Sequence, residues 1–89
     1  MAENIGQIPE EVDALAAEFE LRAGDLENIK MEISSTLGGT TWTGSDRDQF
    51  QADWEGRFSQ NIIQIVTNLR TSGQLASQNA QEQRDASAS

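Results

Sequence analysis

Large apolar residues return at steps of four and three along two separate stretches of the sequence, and this rhythm limits the fold more than any other feature. Ile8, Val12, Leu15, Phe19, Leu26, Ile29 and Ile33 make the first run, with Arg22 standing at its one missing position. Phe50, Trp54, Phe58, Ile62, Ile65 and Leu69 make the second. Steps of four and three gather side chains on one face of an α-helix, whereas a strand would need strict alternation.

The punctuation agrees. Pro9 suits a first helical position, where its missing N–H costs nothing, and Glu10, Glu11 and Asp13 lie where the helix dipole favours negative charge. Gly38-Gly39 followed by Thr40-Thr41 reads as a stop. The spacing predicts helix 1 over about 9–37, a turn over about 38–45, helix 2 over about 46–80 and a mobile, weakly apolar tail over about 81–89. Ser45 is a plausible N-cap, with Asp48 three residues on as the short-armed partner of a capping box. Gly24 inside helix 1 costs about 1 kcal/mol relative to Ala, which a close approach to another helix would offset.

A short turn between two helices favours antiparallel neighbours, so the expected fold is all-α, a single two-helix hairpin domain. Leu21, Ala23, Met31 and Leu37 on helix 1, and Ile63 and Val66 on helix 2, widen the apolar stripe beyond what one helix pair can cover. A second hairpin would complete it as an elongated four-helix bundle. The expected dimer core is Val12, Leu15, Phe19, Leu26, Ile29, Ile33, Phe50, Trp54, Phe58, Ile62, Ile65 and Leu69. Arg22 either snorkels from the edge of this seam or pairs with an acid on the partner.

Composition excludes several functions. The chain of 89 residues has six Lys and Arg against 15 Asp and Glu, a net charge of −9, and no basic run that would follow a phosphate backbone, so nucleic acid is not an expected partner. No stretch approaches the roughly 18 to 20 apolar residues of a membrane span, and the first eleven residues lack the pattern of a secretory signal, so no stable membrane insertion is expected. There is no His and no Cys, which removes the common nucleophiles, bases and metal ligands. The acid pairs Asp46/Asp48 and Asp53/Glu55 read as helix-start electrostatics and solvated surface. No enzyme activity, cofactor or metal is expected.

Trp42 falls between the Gly38-Gly39 break and helix 2, at the tip of the hairpin. It can plug the hairpin end, or keep one edge in water as a docking element of the kind that dominates interfaces. Trp42-Thr43-Gly44, placed in the turn of a heptad hairpin at mid-length, resembles the WXG (Trp-x-Gly) family, about one hundred residues long. These are small type VII secretion substrates related to early secreted antigenic target proteins. Phe50, Trp54 and Phe58 resemble the aromatic run that follows the turn in that family.

The resemblance implies a hairpin made in the cytoplasm of a Gram-positive or actinobacterial cell and secreted without a cleavable signal peptide. Export would be as a folded homodimer or heterodimer with another WXG-like hairpin, through a type VII (ESX-like) system and its secretion ATPase. The protein would act outside as a virulence-factor-like or effector-type protein, by protein contacts, with Trp42 and Gly44 as the secretion and turn motif. The alternative is a cytoplasmic adaptor, chaperone-like, that pairs with and targets a larger secreted toxin. The family's export signal joins the turn Trp to a C-terminal Tyr-x-x-x-Asp/Glu on the partner. This chain has no Tyr, and its nearest spacing, Gln81-x-x-x-Asp85, lacks the aromatic. A Tyr-bearing heterodimer partner would supply the missing half. A homodimer would carry −18, twice the chain's −9, which screening over about 8 Å permits at physiological salt.

Overall fold

The computed structural model describes residues 6–88; residues 1–5, within the segment read for a signal, and residue 89, at the end of the expected tail, lie outside the described residues. Helix α1 spans Pro9–Gly39, and a second helical arm runs as α2 (Ser45–Asp53), a π-helical turn (Trp54–Phe58) and α3 (Ser59–Ala88). Among the described residues there is no strand. The hairpin measures 66 × 17 × 14 Å with a radius of gyration of 19.8 Å. A compact domain of this length would have a radius of about 12 Å, so the molecule is a rod.

Contacts between the arms run in reverse order along the chain: Ser34 meets Trp54, Glu20 and Glu27 meet Arg70, and Asp13 meets Arg84. The arms are therefore antiparallel. What lies between them differs from the expected seam. Ala23 and Leu37 are buried on α1, with Ala16 and Lys30 half-buried in the same row, and Ser59, Val66, Gly73 and Ala80 are buried on α3. Each row has a spacing of seven, and small residues make up half of the α1 row and most of the α3 row. Small residues allow the backbones to come close, and the close point is Gly73, where a Cβ would lie 3.1 Å from the Ala16 carbonyl oxygen and 3.2 Å from Phe19 Cβ.

Gly24, the glycine expected at a close approach, has open space where its Cβ would be. Gly73 holds that role instead. A Gly73→Val chain gains helix propensity but forces the arms apart, so it is expected to lose about 1–3 kcal/mol, read as a fall of several degrees in melting temperature. A melt at the native temperature would show that the arms separate freely at this point.

Four further boundaries depart from the sequence reading. Helix α1 continues through Gly39, two residues past Leu37. The loop is thus shorter than expected, and the Leu37 carbonyl accepts the Thr40 N–H at 3.2 Å. The N-cap of α2 is Gly44 and not Ser45, with no side-chain cap. Gly44 has φ +114°, a conformation that suits glycine alone, and its carbonyl accepts the Asp48 N–H at 3.1 Å. The second arm is not one uninterrupted heptad helix, because the π-turn adds a residue and moves the buried position from Trp54 to Ser59, a step of five. Finally, the segment expected as a mobile tail is helical through Ala88, with Arg84 bonded to Asp13 at 2.6 Å.

Candidate docking face and hairpin tip

The two long sides of the hairpin have opposite character. On one side α1 carries Asp13, Glu20, Glu27 and Ser34 at intervals of seven, and the second arm answers each of them. Arg84 bridges Asp13 at 2.6 Å and Glu10 at 3.5 Å, and Arg70 bridges Glu27 at 2.9 Å and Glu20 at 3.1 Å. The Trp54 indole Nε1 donates to Ser34 Oγ at 2.8 Å. The groove above Gly73 on this side, about 530 Å³, is lined by Asp13, Glu20, Arg70 and Arg84, charges already paired with one another.

Hydrogen bonds from Arg70 hold the Glu27 carboxyl below its ordinary range, and the same bonds raise the Arg70 guanidinium above its own. A depressed carboxyl stabilises the folded state at pH values above its unfolded value, and that contribution fades as the pH falls through the lowered one. Arg84 is raised in the same way by Asp13. These exposed bridges align the arms more than they stabilise them.

The opposite side is apolar and uncovered. Leu15, Ile29 and Ile33 on α1 and Phe58 and Ile65 on the second arm are each 42 to 50% exposed, and Phe50 is exposed nearer the tip. Val12, Phe19, Leu26, Ile62 and Leu69 are half-buried beside them. Of the twelve residues assigned to a bundle core, Trp54 alone is buried within the chain. Of the residues read as lying off the seam, Ala23, Leu37 and Val66 are buried, while Leu21, Met31 and Ile63 are exposed. Arg57 leans over the Phe58 ring, with its guanidinium carbon 4.7 Å from the ring centroid.

At the tip, Trp42 is 36% exposed and packs its ring against Phe50, with centroids 5.5 Å apart and planes tilted by 52°. Trp42 and Phe50, with Ile33, Leu37, Thr36 and Thr40, line a shallow groove of about 360 Å³ that continues the apolar side onto the loop. The loop is tied down by a residue the sequence reading passed over. Arg47 donates to the Trp42 carbonyl at 3.2 Å and to the Leu37 carbonyl at 3.3 Å, so one guanidinium holds the end of α1 and the loop together. Its sequence signal was only a cation two residues after Ser45, and basic residues near helix C-termini are usually sought on the same helix.

Arg22 bonds two acids on its own helix, Glu18 at 2.6 Å and Asp25 at 2.7 Å. Among the acid pairs, Asp46 and Asp48 lie in the first turn of α2, Asp53 accepts from Gln49, and Glu55 accepts from Gln51. Among the described residues no group of three or more metal-ligating side chains could hold an ion, and no helix is long and apolar enough to cross a membrane.

Together these features define a class: an elongated helical hairpin with one wet, ion-paired side and one uncovered apolar side ending at an aromatic tip. Comparison with protein-family models, with curated proteins and with solved structures finds no match.

Proposed function

We propose that the protein is a small type VII secretion substrate of the WXG kind, which leaves the cell as a folded pair of hairpins and acts through protein contacts. The supporting observation is the union of motif and surface. Trp42-Thr43-Gly44 forms the tip, Gly44 takes the backbone conformation that glycine alone adopts easily, and the uncovered apolar side leads directly to the Trp42 ring. A partly exposed indole beside an apolar stripe suits recognition, since such rings carry much of the energy of protein interfaces. The pairing partner is a second hairpin, either another copy or a WXG-like chain whose tail carries the missing tyrosine. The secretion ATPase is the machine that would read the tip.

Trp42→Ala is the test. The ring lies at the tip and is 36% exposed, so the variant is expected to keep its helix signal and solution mass while its amount in culture supernatant falls at least tenfold. Undiminished secretion by a folded variant would remove Trp42 from any export role. Retention of the native chain inside cells with an active type VII system would favour the adaptor reading, in which the apolar side holds a larger secreted protein.

A further inference from the structure

The second arm holds one residue more than its packing needs. Before the π-turn the positions turned toward α1 are Arg47, Gln51 and Trp54, at steps of four and three, and after it they are Ser59, Ile62 and Val66, at steps of three and four. A step of five, from Trp54 to Ser59, joins the two series where an uninterrupted heptad would have a step of four. The outer apolar line records the same excess: Phe58 and Ile65 are seven residues apart, Phe50 and Phe58 eight.

A regular α-helix drawn back from Ser59 would turn a different set of residues toward α1. Counting back four, three and four puts Glu55, Ala52 and Asp48 in the facing row, and at about 100° per residue it swings Trp54 out of that row by one such step. In the structure these three are exposed, whereas Trp54 is 9% exposed with its indole N–H donating to Ser34. Turning two carboxylates inward and an indole outward is costly on both counts. The π-turn avoids both by absorbing one residue.

The consequence reaches the tip, because α2 carries Phe50, the ring on which Trp42 packs and the second arm's contribution to the tip groove. In a regular helix the twelve residues from Phe50 to Ile62 would set the two about 120° apart around the arm, and with one residue absorbed they lie within about 20°. We infer that the π-turn is the joint that aims the tip and that Trp54 is its positioning residue: burial of Trp54 in place of Glu55 selects the rotation of α2 at which Phe50 meets the Trp42 ring in line with the apolar side. The joint stands whether or not the chain is exported. Gly56 is the residue most easily removed from it, since it is exposed and a Cβ there would meet nothing within 4 Å. Without Gly56, Phe50, Phe58 and Ile65 fall at equal intervals of seven, and the arm runs as one α-helix with Trp54 still inside.

Ala52, exposed beside the joint, reports its rotation once replaced by the chain's single cysteine. Reaction with a thiol reagent is timed, beside circular dichroism melts, in three chains carrying Ala52→Cys: one otherwise native, one lacking Gly56, and one with the exchange Trp54→Glu and Glu55→Trp. The exchange moves the indole onto the regular row, so α2 turns by about 100° and the thiol faces α1. Fast labelling is expected in the native chain and in the deletion, which should melt no lower than native, and labelling at least tenfold slower in the exchanged chain. A deletion that melts lower, unfolds or labels slowly overturns the excess residue. A folded exchanged chain that labels as fast as the native one overturns Trp54 as the positioning residue. An exchanged chain that unfolds overturns the joint, because α2 then has no second rotation in which to pack.

Discussion

Trp54→Ala is expected to produce the largest loss of stability of any single substitution in the chain, about 3–5 kcal/mol, with most of the helix signal lost well below the native melting temperature. Among the described residues Trp54 is the one large aromatic buried between the arms, and the remaining buried positions are Ala23, Leu37, Ser59, Val66, Gly73 and Ala80. No other side chain in that line can take over its volume. A small domain with total stability near the low end of 5–15 kcal/mol has little left after such a loss. Trp54→Phe separates the ring from its hydrogen bond: it keeps apolar volume, gives up the bond to Ser34, and is expected to cost about 1 kcal/mol. Circular dichroism melts at matched concentration measure both. An unchanged melt for Trp54→Ala would mean that the π-turn is held in place by something other than this ring.

Ile65→Asp carries the second large effect, and here the expectation divides. Ile65 is 49% exposed in the single hairpin, so an aspartate there reaches water as long as the chain is alone. Once a second hairpin covers it, the charge is buried without a partner, at a cost of about 3–5 kcal/mol. That corresponds to a weakening of association between one hundred and several thousandfold. Light scattering and analytical ultracentrifugation on the native and variant chains supply the measurement. A variant that keeps the native mass at low micromolar concentration would place the pairing surface elsewhere, and a variant that unfolds as a monomer would show that Ile65 supports the arms themselves.

The hairpin was legible in the sequence because three independent signals coincide near its turn. Apolar periodicity stops at Ile33, Gly38-Gly39 follows, and periodicity resumes at Phe50. Pro9 marked the first residue of α1 for a stereochemical reason that does not depend on packing. The division of labour between the two faces was not legible in the same way. The largest residues attract the eye as a core, yet the arms meet through Ala23, Gly73 and Ala80, whose small size allows close approach but gives no periodic hydrophobic signal. One trace was present: Asp13, Glu20 and Glu27 at intervals of seven, facing Arg70 and Arg84 fourteen residues apart, mark the ion-paired side.

The π-turn left one trace, since Phe50, Trp54, Phe58 and Ile62 make three steps of four in succession where a heptad alternates four and three. Counting fours and threes without their order hides it, and the contact of Trp54 with Ser34 and the burial of Ser59 disclose the shift. Arg47 escaped for a different reason, since its partners are main-chain carbonyls at Leu37 and Trp42 and carry no side-chain signature. At the tip, the Trp42 ring packs against Phe50 at a tilt of 52°, and part of it stays in water.

The cross-section of 17 × 14 Å has a bearing on transport that does not depend on which partner covers the apolar side. A body this narrow moves end-on through an opening little wider than two helices, and adding a second hairpin face to face thickens it in one direction only, to about twice the 14 Å side. The length of the rod is then irrelevant to the bore. A channel could exclude compact domains of the same mass and still admit this one without unfolding it.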